Sequence, residues 1–205
     1  MLRHALEVAE QDHINLAGLV TWAFEFEDQP YFVGCRTLAS NGIDEPVLNV
    51  FRIFGLMSGE RIATESTGAL TAQSVITSGV RNRQEINAIA ARDAHRICVL
   101  VWNYGDDSAP SPSPAIQLTV GGIPASPGRL RLEHYRIDDD HSNSFTAWKA
   151  MGSPQQPTPE QYSRLESAAQ LQLLDSPRWV TGTGGKLDLS FSLPPQAASL
   201  LVLTW

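Results

Sequence analysis

Seven short apolar runs follow one another from Glu85 to the C-terminus, and they constrain the fold more than any other feature of the chain. Several alternate strictly between apolar and polar residues, and Gly, Pro, Asp and Asn separate them. Alternation places one side of a strand in a core and the other in water, so the pattern predicts an antiparallel β-sandwich or barrel. The runs are EINAIAARD, RICVLVWNYG, AIQLTVGG, LRLEHYRID, QLQLLDS, KLDLSFSL and SLLVLTW.

The first 60 residues have a different pattern. Apolar spacing predicts a short amphipathic helix over residues 2–12. The next run, NLAGLVTWAF, is almost continuously apolar, which is typical of a strand buried on both sides in a parallel sheet. After a loop, Asp44 and Pro46 predict the start of a second helix. The order helix, buried strand, loop, helix is half of a repeating α/β unit. The apolar stripe of the second helix consists of Val47, Val50, Phe51, Phe54 and Met57.

One further helix is predicted to interrupt the seven runs. Thr158, Pro159 and Gln161 form a typical helix start, and Tyr162 and Leu165 share one face of the turns that follow.

Composition excludes some classes of partner. The 205 residues carry a formal net charge of −7, which argues against nucleic acid or an anionic membrane surface as the main partner. No apolar run reaches the roughly 18 residues of a membrane span. The first 13 residues have acids where an export signal has an apolar core, and the localisation stays undecided.

Common catalytic and ligand motifs are absent from the sequence. It contains no G-x-S-x-G, H-E-x-x-H, P-loop or G-x-G-x-x-G pattern. TGTGGK, which begins at Thr181, lacks phosphate-loop spacing and predicts a hairpin turn. Asp138 and His141 could suggest a metal site, but their loop favours a structural role. Cys35 and Cys98 are far apart and are predicted to be free thiols. The sequence therefore predicts neither a metal nor a cofactor.

A cluster of carboxylates stands directly after the apolar N-terminal run. Glu25, Glu27 and Asp28 follow it, interleaved with aromatic residues that include Trp22 and Phe24. Two interpretations are open: solvated charges at the end of a strand, or the rim of a sugar site, where an aromatic platform is combined with carboxylates that bind hydroxyl groups.

Two long segments resemble glycoside hydrolase family 39, the β-xylosidase group to which α-L-iduronidase is related. GLVTWAFEFEDQPYFVGCRTLASNGIDEPVLNVFRIFGLM is similar to the last strand, active-site loop and last helix of the family's (β/α)8 barrel. YRIDDDHSNSFTAWKAMGSPQQPTPEQYSRLESAAQLQL resembles its C-terminal β-sandwich. The resemblance implies a mainly β chain: residues 1–62 would be helix 7, strand 8 and helix 8 of an incomplete barrel, and residues 63–205 an accessory antiparallel β-sandwich.

The resemblance also implies roles for single residues. Trp22 matches the tryptophan that ends strand eight and lines the sugar subsite. Glu27 and Asp28 match the acidic pair that binds xylose hydroxyls, whereas Glu25 has no secure counterpart. The implied partner is a xylose-containing oligosaccharide.

One departure from the family is larger than these matches. In the family that these segments resemble, the retaining mechanism uses an acid/base glutamate after an asparagine and a nucleophile glutamate in a T-E-W context. The sequence contains no Asn-Glu and no Glu-Trp dipeptide. We therefore expect the C-terminal part of a β-xylosidase-like enzyme that is inactive by itself, with no catalytic residue of its own. The alternative is a non-catalytic β-sandwich module for sugar binding or structural support.

The sandwich also offers aromatic candidates for a sugar surface. Trp102 is expected in the core and Trp148 is expected to pack its own loop, while Tyr104 and Trp179 are surface candidates. Without a complete barrel, residues 1–60 would expose apolar faces, so we expect them to pack on the sandwich, to pair with another copy or to be poorly ordered.

Overall fold

The computed structural model describes residues 2–20, 24–34, 37–105, 113–124 and 129–205. The helices are α1 (Leu2–Gln11), α2 (Pro46–Leu56), α3 (Ala72–Ser78), α4 (Ser144–Ala150) and α5 (Pro159–Ala169). The strands are β1 (Phe24–Phe26), β2 (Thr37–Ser40), β3 (Ile43–Asp44), β4 (Glu60–Ile62), β5 (Glu85–Arg92), β6 (Arg96–Tyr104), β7 (Ala115–Gly121), β8 (Arg129–Ile137), β9 (Gln172–Thr181), β10 (Lys186–Ser192) and β11 (Ala197–Thr204).

A six-stranded antiparallel sheet forms the centre of the molecule. Its strand order is β4-β5-β6-β11-β8-β9. The C-terminal strand β11 lies between β6 and β8, and places Leu200 opposite both Leu100 and Tyr135. The last strand therefore lies inside the sheet and not at its edge, because it pairs with neighbours on both sides.

A two-stranded sheet of β7 and β10 covers one face of the six-stranded sheet. The two strands pair antiparallel, and the side chains of Val120, Leu187 and Leu189 are buried in one cluster with residues of the larger sheet, among them Val99 and Leu201. The alternating pattern of KLDLSFSL accounts for this packing, since the leucines point inward and the polar residues between them are exposed. The two layers form the predicted antiparallel sandwich.

The opposite face of the six-stranded sheet is covered by helices. Ile53 of α2 is fully buried and packs with Leu100, Leu200 and Val202. Leu6 of α1 packs against the same cluster. The segment before β4 thus packs on the sandwich, one of the three arrangements expected from the sequence.

The predictions for the seven runs and for the helix at Thr158 are confirmed. Each run forms one strand, β5 to β11. Helix α5 begins after Thr158, whose hydroxyl accepts from Gln161 N while Gln161 Oε1 accepts from Thr158 N. The TGTGGK turn is confirmed by backbone hydrogen bonds in both directions between Thr183 and Lys186. Helices α3 and α4 were not predicted.

The prediction of a buried strand over NLAGLVTWAF is wrong for the described residues. Residues 14–20 form no strand, and Leu19 and Val20 are 55% and 101% exposed. Only β1 is extended, and all three of its residues are exposed. Among the described residues it pairs in parallel with β2 alone, and none of them supplies a second neighbouring strand or a covering layer that would bury the run.

Helix α2 matches its predicted bounds closely, but two of the five residues of its apolar stripe are left exposed. Val50 and Phe54 pack on the sheet, whereas Val47 and Phe51 are 44% and 45% exposed. The buried side also includes Asn49, which a search for apolar spacing overlooks.

A 34-residue segment between β8 and β9, residues 138–171, carries α4 and α5, and we call it the β8–β9 insert. Tyr31 and Ile43 of the N-terminal part pack in one cluster with Trp148 and Leu165 of the insert. None of the helices in the described residues is long and apolar enough to span a membrane.

Candidate functional site

The acidic loop, residues 25–34, begins on β1 and contains all three candidate carboxylates. Glu25, Glu27 and Asp28 are exposed. Phe24 and Phe26 lie on one side of β1 with ring centroids 5.6 Å apart, so that Glu25 points to the other side. Exposed acids and aromatic rings thus alternate along this segment, and the two kinds of group suit the hydroxyl groups and the apolar faces of a sugar.

The backbone of the acidic loop turns sharply at its carboxylates. Asp28 has a φ of 55°, in the left-handed region that Asp tolerates better than most residues. Asn41 secures the start of the loop: its N–H donates to Phe26 O at 2.8 Å and its side-chain amide donates to Gln29 O at 2.6 Å. Glu27 and Asp28 are thus held between two backbone contacts with one asparagine.

The other end of the acidic loop is anchored by aromatic residues. Tyr31 is 7% exposed, and its N–H donates to Gln155 Oε1 at 2.9 Å. The Phe32 ring contacts Phe145 edge-on at 5.5 Å and Trp148 at 5.1 Å between centroids. All three anchoring partners, Gln155, Phe145 and Trp148, belong to the β8–β9 insert.

The charge of Glu27 affects the pKa of two tyrosines, Tyr31 and Tyr162. Burial raises the pKa of Tyr31, and Tyr162 and the Glu27 carboxylate raise it further. Burial also raises the pKa of Tyr162, with added contributions from Glu166, Glu27 and Asp44. Both hydroxyls therefore stay protonated at neutral pH and can donate hydrogen bonds beside the acidic loop.

Of the three predicted substrate-binding residues, Glu27 and Asp28 are brought together on the exposed turn. Trp22 lies outside the described residues. Sequence reasoning did not assign Tyr31 and Tyr162 to this site, although the aromatic pair after Pro30 was visible and Tyr162 was predicted on a helix face. No local signal links residues 131 positions apart, so only the fold could bring these two tyrosines to the same carboxylate.

A large concave feature of the described residues lies elsewhere. A cavity of about 1020 Å³ lies between α1, α2, α3 and the outer face of the six-stranded sheet. Its walls include Val8, Phe54, Val75 and Trp102. His4 borders it, with Nε2 2.7 Å from Glu85 Oε1, although the angle is not that of a good hydrogen bond. Walls so apolar do not suit a sugar ring, whose hydroxyls need many polar partners.

The Asp138–His141 pair has the structural role predicted for it. Asp138 Oδ1 accepts from the backbone N–H of Asp140 and His141, and lies 2.8 Å from His141 Nδ1. Burial raises the pKa of Asp138, but these hydrogen bonds outweigh burial and hold it below its usual value. In the described part of the chain, no group of three or more His, Cys, Asp or Glu side chains could hold a metal ion.

The structure confirms the predictions for Cys98, Trp148 and Trp179, whereas Trp102 is half-buried and lines the cavity. Cys98 is a buried free thiol, while Cys35 lies outside the described residues. Trp148 is 9% exposed and donates from Nε1 to Pro154 O at 2.9 Å, and Trp102 packs on the helix-covered face of the sheet. Trp179 is 60% exposed beneath the Arg129 guanidinium.

Curated proteins similar to this chain include α-L-iduronidases. The α-L-iduronidase of Canis lupus familiaris is 30% identical over 162 residues, which are 78% of this chain and 24% of that protein. The Homo sapiens α-L-iduronidase is 31% identical over 147 residues, which are 71% of this chain and 22% of that protein. The chain thus spans about a quarter of the length of these relatives.

Solved structures share the fold at low sequence identity. A glycoside hydrolase family 39 enzyme from Xanthomonas axonopodis pv. citri matches 85% of this chain and 33% of its own, with a TM-score of 0.67 and 17% identity. A monomeric β-xylosidase from Caulobacter crescentus CB15 matches 83% of this chain and 33% of its own, with a TM-score of 0.61 and 17% identity.

The sequence model of one family, described as Glycosyl hydrolases family 39, matches residues 16–185. This range includes the acidic loop, the six-stranded sheet except for its strand β11, and the whole β8–β9 insert. The chain belongs to glycosyl hydrolases family 39.

Proposed function

We propose that this chain is the C-terminal part of a retaining β-xylosidase-like enzyme that acts on xylo-oligosaccharides. The observation that carries the proposal is the exposed pair Glu27 and Asp28, held by backbone contacts at the end of β1 beside Phe24 and Phe26. Trp22, Glu27 and Asp28 would contact the sugar, with the carboxylates accepting hydrogen bonds from its hydroxyl groups.

The acidic loop suits a neutral sugar better than a uronide. The curated relatives are α-L-iduronidases, and the iduronide in that name carries a carboxylate. Residues 24–34, FEFEDQPYFVG, include three carboxylates and no Lys or Arg. A second anion close to these acids would be repelled, whereas a xylose has only hydroxyl groups to offer.

The chain would not catalyse hydrolysis by itself. Retaining glycosidases need an acid/base and a nucleophile carboxyl group about 5–5.5 Å apart. The family resemblance supplies no counterpart for either in this sequence, and substrate contacts alone do not lower a barrier unless they strengthen in the transition state. The two missing glutamates would come from polypeptide outside these 205 residues.

The proposed division of the chain follows from this assignment. Residues 1–62 would be the last elements of an incomplete (β/α)8 barrel, namely helix 7, strand 8 and helix 8. Residues 63–205 would be the accessory β-sandwich. Support comes from the short parallel pairing of β1 with β2 and from the exposed outer side of α2.

The test is an activity assay on two proteins. The 205-residue chain should release no nitrophenol from 4-nitrophenyl β-D-xyloside. The same chain, joined behind a polypeptide that supplies the rest of the barrel and both glutamates, should do so, and more readily than it cleaves a 4-methylumbelliferyl α-L-iduronide. Full activity of the 205 residues alone, or preference for the iduronide, would overturn the assignment.

A second candidate is a non-catalytic module that supports another protein segment. The large apolar cavity beneath α1, α2 and α3 favours it, since such walls suit protein side chains rather than sugars. Calorimetry with xylobiose and xylotriose separates the two candidates. A non-catalytic module without a sugar site should give no heat of binding. A chain that carries only part of the sugar subsite should bind weakly, and Glu27→Gln should abolish that binding.

Self-association through the exposed apolar side chains is a further part of the proposal. Several apolar residues of the N-terminal part are at least 44% exposed: Ile14, Leu19, Val20, Val47 and Phe51. We take these side chains as one contact surface, since large exposed apolar patches mark sites of protein contact. Sedimentation velocity over a range of concentrations should show dimers that Phe51→Glu reduces, and a monomer at every concentration would contradict it.

A further inference from the structure

We propose that the β8–β9 insert is a positioning element that holds the acidic loop in the conformation that presents Glu27 and Asp28. The inference rests on the proposed function, because it assigns a role in sugar binding to residues of the sandwich that do not touch the sugar. Gln155 and Tyr162 are the positioning residues.

The first contact is at the C-terminal end of the acidic loop. Gln155 Oε1 accepts the Tyr31 N–H at 2.9 Å. The Gln155 side chain is exposed, so burial does not hold it in this conformation. Its contact with the acidic loop is the hydrogen bond from Tyr31 N–H. The Tyr31 side chain is buried with Trp148, Leu165 and other residues of the insert, which fixes the chain three residues after Asp28.

The second contact is at the N-terminal end. The Tyr162 hydroxyl donates to Asn41 O at 3.2 Å, and Asn41 in turn donates to Phe26 O and Gln29 O on either side of the acidic pair. A Cβ on Gly42 would lie 2.6 Å from the Tyr162 hydroxyl, and Gly42 has a φ of 76°. Glycine at this position therefore lets helix α5 approach the Asn41 turn closely.

The insert is itself tied to the elements that flank the loop. Ser144 Oγ donates to Asp44 O at 2.5 Å, and Asn49 Nδ2 donates to Ser142 O at 3.0 Å and to Ala169 O at 2.9 Å. Asn49 is completely buried. The insert thus contacts both ends of the acidic loop from a base that is itself fixed, and loosening one contact should broaden the set of positions that the carboxylates occupy.

The adjacent glutamines supply a matched experiment. In Gln155→Ala the Tyr31 amide loses its acceptor, while Gln156→Ala changes a neighbouring exposed side chain with no such contact to the loop. Amide exchange at Tyr31 should become about two- to tenfold faster in Gln155→Ala and remain unchanged in Gln156→Ala. Gln155→Glu should restore slow exchange, because a carboxylate oxygen also accepts.

Sugar affinity tests the positioning role directly. If Gln155 and Tyr162 served only the stability of the fold, their substitution would leave the affinity for xylobiose unchanged. In xylobiose titrations followed by NMR, Gln155→Ala and Tyr162→Phe should each weaken binding about two- to tenfold, with melting temperatures close to that of the unaltered chain. Equal exchange in Gln155→Ala and Gln156→Ala overturns the positioning role. Faster exchange with unchanged affinity also overturns it.

The same experiment separates this inference from the proposed function. If the unaltered chain does not bind xylobiose, the proposed sugar site fails, and the exchange comparison still decides whether the insert holds the loop. If the chain binds xylobiose and the exchange comparison is negative, the sugar site stands and the insert has no part in it.

Discussion

Strand β6 and residues 12–20 are both rich in apolar side chains, yet only the second leaves most of its residues exposed to water. In β6, Ile97 to Val101 are all buried, because β5 and β11 pair with its two edges and α2 and the two-stranded sheet cover its faces. In residues 12–20 no described strand pairs with the backbone, and Val20 is 101% exposed. Hydrophobicity alone does not bury a run; neighbours that satisfy its backbone and cover its side chains do.

The largest expected effect is a matched leucine truncation in these two regions. Leu201, on β11, is 1% exposed, and Leu201→Ala should lower the free energy of unfolding by about 2 to 5 kcal/mol, since it removes buried contacts and leaves a cavity. Leu19 is 55% exposed, and Leu19→Ala should change it by about 0.5 kcal/mol or less. Urea denaturation measures both. Similar losses would mean that residues 12–20 are buried in solution.

This contrast explains which parts of the fold could be predicted from sequence. Each run from Glu85 onward carries its own two-residue period, and its pairing partners lie in the same chain, so pattern and structure agree. The run NLAGLVTWAF has an equally clear pattern, but its predicted burial depended on partners that the described chain does not provide. Helices α3 and α4, seven residues each, are too short to leave a firm periodic signal.

The candidate site divides in a similar way. Glu27 and Asp28 could be singled out because acids next to aromatics after an apolar run form a local signal. Gln155 and Tyr162 could not, because their contacts with Tyr31 and Asn41 span more than 120 positions of sequence. Contacts of that length depend on the packing of α4 and α5, which no local pattern contains.

The second prediction concerns the joint between the N-terminal part and the sandwich. Asn49→Ala removes the donor of two buried hydrogen bonds and leaves the carbonyls of Ser142 and Ala169 without it. We expect a loss of about 2 to 3 kcal/mol in the free energy of unfolding. Asn15→Ala, at an exposed position, is the control and should have almost no effect. If Asn49→Ala is equally mild, α2 is not held to the insert in solution.

The third prediction uses the pH dependence of the sheet. His134 is buried on β8, with Nε2 2.9 Å from Ser199 Oγ and its ring edge-on to Phe191. Burial lowers its pKa from 6.5 to about 4, Arg136 and Arg178 add to the shift, and Asp175 opposes it. The folded protein therefore disfavours the charged imidazole.

The sign of the effect follows from proton uptake. Between pH 6.5 and about 4 the unfolded chain binds a proton at His134 that the folded chain does not, so stability falls as the pH is lowered through this range. From pH 7 to pH 5 the contribution is about 2 kcal/mol. Urea denaturation at both pH values measures it, with His134→Gln as the comparison. An unchanged pH slope in His134→Gln would show that another group is responsible.

The smallest expected effect on stability belongs to the residues with the largest proposed role in binding. Glu27→Gln and Asp28→Asn should each change the free energy of unfolding by less than about 0.5 kcal/mol, because both side chains are exposed and Asn tolerates the positive φ of Asp28 as well as Asp does. Glu27→Gln should also lower the pKa of Tyr31 and Tyr162 slightly, since it removes one cause that raises them, and ultraviolet titration checks this. Leu201→Ala and these variants then form opposite cases: one side chain that the fold requires, and two that it does not. If Glu27→Gln or Asp28→Asn costs as much as a core truncation, the acids serve the fold, and the argument for a sugar contact loses its main support.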